Sequence, residues 1–287
     1  MRLSLLTPIV TRTTMGRAAW EEDAGPAELA LIARTADRLG YHHMNCSEHV
    51  VIPTGVAPVR GSTNWDPLAT FGFLAAQTQR IRFATHVLVL AYHHPLEIAK
   101  RYGTLDLVSG GRLILGVGVG TLREEFDLLG VEFEGRGARA DDALRALRAS
   151  LGRRAPVYDG PYYAYRDLLV DPCAVQEQMP IWIGGRTRRS LRRAVELADG
   201  WAPFGITTAD LEAMLAGVER PPGFEVVYGP DRALDPAEEP ERCAEALHQL
   251  VGLGVTIAGV RLIHHSVDHY LEQLEALMSV NNSAGPP

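Results

Sequence analysis

Cysteine is scarce in this chain and badly placed for bridging. Cys46, Cys173 and Cys243 are odd in number, far apart and form no C-x-x-C pair, so neither a disulfide framework nor a cysteine-rich zinc site is indicated. No apolar run approaches the ~20 residues of a membrane span, and the apolar part of residues 1–14 is too short for a signal peptide. Positive charge is not in excess: the formal net charge is −7, which argues against nucleic acid and anionic membrane surfaces as partners. A reducing cytoplasm is the expected compartment. H-E-x-x-H and G-x-S-x-G are both missing, which removes the signatures of helix-borne zinc hydrolysis and of a serine nucleophile elbow. The histidine pairs 42–43, 93–94 and 264–265 are adjacent, and neighbouring strand side chains point to opposite faces, so no metal site is expected. No linker, close repeat or low-complexity tract divides the chain.

What is present is a regular alternation. At 287 residues with 46% hydrophobic and 22% charged content, the chain reads as soluble and globular with room for a large core. Strands are expected at 3–6, 42–46, 81–90, 112–117, 181–184, 201–204, 224–227 and 255–261. Helical patterns cover 27–39, 64–78, 95–108, parts of 122–129 and 137–151, then 188–198, 209–217, 240–253 and 267–280. Gly40 reads as a C-cap, and Asp66-Pro67 as an N-cap with first-turn proline. Asp159-Gly160-Pro161 marks a hairpin inserted before strand five. Eight strands, each followed by helix, predict an α/β fold, a (β/α)8 TIM barrel. An open doubly wound sheet gives the same alternation with fewer strands. One barrel domain over 1–280 is expected, with 281–287 as a flexible tail.

In a barrel, function sits at the C-terminal ends of the strands. That rule selects Ser47, Glu48 and His49 after strand two, His86 and Val87 with the 91–95 segment at strand three, Gly118 to Thr121 after strand four, Gly184 to Thr187 after strand five, and His264 and His265 beyond strand eight. Glu48-His49 sets a carboxylate beside an imidazole, which can orient it as an acid or base. Gly184 and Gly185 let backbone N–H groups approach a phosphate at the start of the next helix, with Arg186, Thr187, Arg188 and Arg189 beside it. Arg192 and Arg193 read as a solvated face. In S-G-G-R-L-I-L-G-V-G-V-G-T-L-R-E-E-F, Thr121 and Glu124 have the spacing of a capping box. A ligand-binding turn and a plain β-to-α turn are both open readings of that stretch.

G-G-R-L-I-L-G-V-G-V-G with E-E-F, R-I-R-F-A-T-H-V-L-V-L-A-Y-H-H-P and P-I-W-I-G-G-R-T-R-R-S together resemble the luciferase-like flavin and deazaflavin oxidoreductases, specifically the branch using coenzyme F420. The resemblance covers nearly the whole chain. It implies that His49 faces the reactive carbon of the ring as proton partner, with Glu48 in the same pair. It implies that Thr85, His86 and Val87 form the ring wall with a non-proline cis peptide between His86 and Val87, that Gly118 belongs to the cofactor site, and that Gly184, Gly185, Arg186 and Thr187 hold the cofactor phosphate. Two departures stand out: His86 replaces a small residue of most relatives, and Thr121 replaces the acidic glutamate of sugar-phosphate dehydrogenases, which disfavours a sugar phosphate.

The resemblance thus implies an enzyme that moves a hydride between F420 and a small organic substrate, working as a homodimer. Its rivals are an FMN-dependent monooxygenase using O₂, against which the short 204–224 loop speaks, a non-catalytic flavin or deazaflavin binder, and a metal hydrolase. The near-exclusive use of arginine, with Lys100 the only lysine, suggests a GC-rich genome, as in lineages that make F420.

Overall fold

The computed structural model of the chain describes residues 1–12 and 18–283. Eight parallel strands close on themselves: β1 (Arg2–Leu5), β2 (His43–Cys46), β3 (Arg82–Thr85), β4 (Leu113–Gly118), β5 (Ile181–Gly184), β6 (Gly200–Ala202), β7 (Glu225–Tyr228) and β8 (Ile257–Val260). Each pairs with the next in sequence, and β1 pairs with β8 through Arg2↔Ile257 to Leu5↔Val260, which seals the ring. Helices follow the strands on the outside: α1 (Pro26–Leu39), α2 (Pro67–Ala75), α3 (Pro95–Ser109), α4 (Arg123–Leu128), α5 (Arg136–Ser150), α6 (Arg188–Leu197), α7 (Thr208–Leu215), α8 (Pro240–Gly252) and α9 (Val267–Ser283). The (β/α)8 barrel is therefore present, and the open-sheet alternative is not.

Strand periodicity sorts the core into two compartments. Leu3, Leu5, Met44, Phe83, Leu113, Leu115, Ile181 and Ile183 face the helices and join one large cluster. Ala84, Ile114, Trp182, Ala202, Val227 and Ile257 form a second cluster inside the ring. The floor is polar. The Trp182 indole donates to Glu225 at 2.9 Å, Arg2 pairs with the same carboxylate at 2.6 Å, and the His43 ring packs 5.1 Å from Trp182. A filled lower barrel pushes any cavity to the opposite mouth.

Local signals explain most boundaries. Asp66 accepts the Ala69 N–H at 2.8 Å ahead of Pro67, and Gly40 ends α1 at φ +85°. The inserted hairpin pairs Tyr158–Asp159 with Ala164–Tyr165. Two buried aspartates hold this excursion: Asp142 takes the Tyr158 hydroxyl and the N–H groups of Tyr162 and Tyr163, and Asp106 takes those of Val175 and Gln176.

Three expectations need correction. Strand three is not continuous over 81–90. It breaks at His86–Val87, whose peptide bond is cis, resumes as Leu88–Val89, and turns into the 3-10 helix Leu90–Tyr92. The capping box at Thr121 does not form: Gly120 turns at φ +78° against the Phe126 ring, so α4 starts at Arg123 with Leu122 as a cap that makes no side-chain bond. Residues 281–283, expected in a flexible tail, are helical. They are the last turn of α9, with Asn281 Nδ2 donating to the Met1 carbonyl at 3.0 Å, and residues 284–287 lie outside those described.

The break in β3 dictates the residue beside it. A Cβ on Gly116 would stand 1.9 Å from the Thr85 carbonyl oxygen, whereas one on Gly72 in α2 would meet open space. Gly116→Ala is expected to destabilise the fold by about 1–3 kcal/mol, while Gly72→Ala gains about 0.5–1 kcal/mol from lost glycine entropy. Chemical denaturation of both variants checks the contrast, and equal midpoints would refute the close approach.

Candidate functional site

The barrel mouth holds a cavity of about 530 Å³, within the range of small-molecule sites. Loops after β1, β2, β3, β4, β5 and β8 all contribute to it, as do Ser47, Glu48, His49, His86, Val87, Gly118, Gly184 and Gly185. An antiparallel ribbon, Thr11–Arg12 against Thr63–Asn64, joins the β1 and β2 loops along one side. Seven of the ten residues assigned to cofactor or catalysis from sequence, Glu48, His49, His86, Val87, Gly118, Gly184 and Gly185, therefore meet here from the ends of four strands. Thr85 does not. Its hydroxyl donates to the Gly116 carbonyl at 2.6 Å, inside the sheet and away from the cavity.

Glu48 and His49 turn apart, as adjacent side chains of an extended chain do. The expected Glu48–His49 pairing is corrected on that ground. Glu48 accepts the Val89 N–H at 2.7 Å and bonds His93 Nε2 at 2.6 Å, so it braces the resumed part of strand three. The carboxylate that orients His49 is Glu125 in α4, with His49 Nδ1 and Glu125 Oε2 at 2.9 Å. Glu125 also accepts the N–H groups of Val50 (2.7 Å) and Val51 (3.3 Å). Its side chain is fully buried, yet these donors hold its carboxyl below the usual range against the upward push of burial. The late start of α4 turns Glu125 inward. No spacing rule connects residues 49 and 125.

Val87 forms part of the cavity wall. Its two methyl groups lie where a Cβ on Gly118 or Gly184 would stand, at 2.7 and 2.3 Å respectively. The glycines therefore exist to seat Val87 across the mouth. His86 does not crowd the space: its Nε2 is 3.2 Å from the Ala202 carbonyl, edge-on to Phe204, and burial pushes its pKa down. The neutral imidazole thus donates to strand six.

The turn after β5 divides in two. Gly184 and Gly185 reach the cavity, Gly185 with φ +130°. Arg186 and Thr187 stand exposed at the rim, outside the cavity lining. Thr187 caps α6, its hydroxyl accepting the Ser190 N–H at 3.2 Å. Arg186 and Arg189 are exposed near that helix N-terminus, a setting for an anionic end extending from the mouth. Arg193 is not on a solvated face: it is buried, paired with Asp141 and donating to the Gly137 carbonyl. Among the described residues no three His, Cys, Asp or Glu side chains gather as a metal site, and no helix is long and apolar enough to cross a membrane.

A family model described as luciferase-like monooxygenase matches residues 1–251. An F420-dependent glucose-6-phosphate dehydrogenase from Nakamurella multipartita is 30% identical over 221 residues, covering 71% of this chain and 62% of that one. The chain spans about half the length of other curated relatives it matches, 50% for a mycobacterial protein of 35% identity. Among solved structures, the monooxygenase RslO1 from Streptomyces bottropensis superposes with a TM-score of 0.76 at 18% identity, covering 99% of both chains. The coenzyme F420-dependent tetrahydromethanopterin reductase from Methanopyrus kandleri does so at 0.71 and 16%, covering 97% of this chain and 96% of that one.

The Glu48–His93 contact makes a pH prediction. Burial opposes charge on His93, but the Glu48 carboxylate outweighs it and raises the pKa above the ordinary value near 6.5. Stabilisation from a raised histidine is complete below its unfolded value and is lost as pH rises through the folded one. The Tm advantage of wild type over His93→Gln should therefore shrink as pH rises above the ordinary histidine value near 6.5. A gap that stays constant or widens over that range would show that the pair is not charged.

Proposed function

The chain belongs to the luciferase-like monooxygenase family, and within it we propose an oxidoreductase that moves a hydride between coenzyme F420 and a small organic substrate. The observation that carries this reading is the His49–Glu125 pair: an imidazole held by a buried carboxylate at the edge of the barrel-mouth cavity. The Nakamurella relative, named as F420-dependent, supports the cofactor class. The residues present suit such a group. Val87, seated on Gly118 and Gly184, offers an apolar wall, and half-buried Gly185 with exposed Arg186 and Thr187 offers an anion-binding rim. Bound there, a deazaflavin supplies a carbon centre that accepts or returns a hydride.

The chain's own task is then placement and proton handling. The Glu125 carboxylate can only accept, so the neutral form of the His49 ring is the tautomer with its proton on Nδ1. The Nε2 lone pair is left available to take a proton from a substrate hydroxyl. Glu48 keeps the Val87 wall in register through Val89 and through its own N–H, which donates to the Val87 carbonyl at 3.2 Å. Glucose 6-phosphate, the substrate in the relative's name, is disfavoured by Thr121 at the cavity and by three lining glutamates, Glu21, Glu48 and Glu125, which outnumber the two lining arginines, Arg60 and Arg261.

Fluorescence titration with oxidised F420 and, separately, FMN tests the cofactor. Saturable micromolar F420 binding with weak FMN binding supports the reading. Tight FMN binding instead transfers it to a monooxygenase using O₂. With a substrate found by screening F420 reduction, Glu125→Gln should lower turnover about 10²–10⁴-fold, since an amide can donate to Nδ1 and reverse the tautomer. Cofactor affinity should change little. A Glu125→Gln or His49→Ala protein with full turnover removes His49 as the proton partner, and a wild type that binds F420 without any turnover in the screen is a binder.

A further inference from the structure

A second imidazole–carboxylate arrangement lies on the side of the cavity built by the loops after β1 and β8. His264, Trp20 and Glu21 meet there although the chain separates the first from the others by more than 240 residues. The Trp20 indole N–H donates to His264 Nδ1 at 2.9 Å. Indole can only donate, so Nδ1 must be the accepting nitrogen and the neutral ring must carry its proton on Nε2. Burial favours that neutral form, pushing the pKa down against the pull of Glu21. His264 Nε2 lies 3.7 Å from Glu21 Oε1, too long for a hydrogen bond. The Glu21 oxygens are already engaged, Oε2 by the Ile9 N–H at 2.8 Å and Oε1 by the Ala18 N–H at 3.1 Å. The described residues thus leave Nε2–H without an acceptor, on a side chain that lines the cavity.

The surroundings show that the arrangement is held in place. Ile9 sits at φ +73°, a left-handed conformation that a β-branched residue rarely adopts and that persists only where neighbours enforce it. Glu21 is the neighbour that does so, through the Ile9 N–H. The side chains of Glu21 and His264 are almost fully buried, the Tyr270 ring centroid lies 4.9 Å from that of His264, and Leu6 and Leu262 line the same cavity.

We propose that His264 is a substrate-recognition residue whose Nε2–H donates to an uncharged oxygen, a ketone, ester or alcohol, on an otherwise apolar substrate. Trp20 is the positioning residue that sets its tautomer. Glu21 makes the recognition selective, because a phosphate or carboxylate bonded to Nε2 would be pressed against a buried carboxylate with little water to screen the repulsion. The inference deepens the oxidoreductase reading and rests on this cavity being the substrate site.

The test uses the full chain labelled with ¹⁵N-histidine, with and without F420. Long-range ¹⁵N–¹H spectra should show His264 as the Nε2–H tautomer, and Trp20→Phe should convert it to a mixture. Cyclohexanone should shift the His264 Nε2 signal saturably, and inorganic phosphate should not. His264→Phe, which keeps an aromatic ring in place, should weaken cyclohexanone binding about tenfold and leave F420 affinity within about twofold. An Nδ1–H tautomer, a His264 signal unmoved by cyclohexanone, or a saturable phosphate response would each overturn the proposal. Failure of F420 and FMN to bind, with the His264 responses intact, would count against the oxidoreductase reading alone.

Discussion

The Glu125 carboxylate governs the geometry of the barrel mouth. It is fully buried, and a buried carboxylate is tolerated only when donors replace the water it has lost. Those donors are His49 Nδ1 and the N–H groups of Val50 and Val51. All three belong to the loop after β2, whereas Glu125 belongs to the helix after β4, so one side chain ties two loops across the intervening strand. The requirement is reciprocal. The loop cannot move without stranding the charge, and the charge cannot be removed without freeing the loop and the imidazole.

Glu48 repeats the device one strand away, linking the β2 loop to Val89 and His93. Between the two carboxylates, the broken third strand offers Val87 as a wall, and glycine at 116, 118 and 184 gives the break and the wall their space. A rigid, apolar-walled cavity with polar groups fixed at its edge suits placement of a reactive cofactor by the protein. The lower barrel serves the same end, since Trp182, Glu225 and Arg2 close the floor and leave depth only at the strands' C-terminal side.

Much of the scaffold was legible because it depends on local signals. β-branched runs placed seven of the strands within about two residues, and Asp66-Pro67, Gly40 and Thr187 marked helix ends through their own backbone chemistry. The rim of the site was legible through glycines and histidines at strand ends and through the family resemblance. What the sequence hid was pairing at a distance. Chain adjacency suggested Glu48 for His49, but alternation in an extended segment sends neighbours apart, and the true partner lies 76 positions on. Thr85 looked like part of the wall and faces β4 instead, and Arg193 looked solvated and is pinned to Asp141. The meeting of Trp20, Glu21 and His264 depends on β1 lying beside β8, a consequence of closure that no local window contains.

The central claim is that this mouth is a deazaflavin site in which His49 is the proton partner. A crystal structure of the chain with oxidised F420 tests it most directly. The account predicts the ring inside the mouth cavity between Val87 and His49, with its phosphate at the turn after β5 and the His49–Glu125 bond intact. A ring bound elsewhere on the barrel, or in the cavity with His49 turned away from it, would contradict the account.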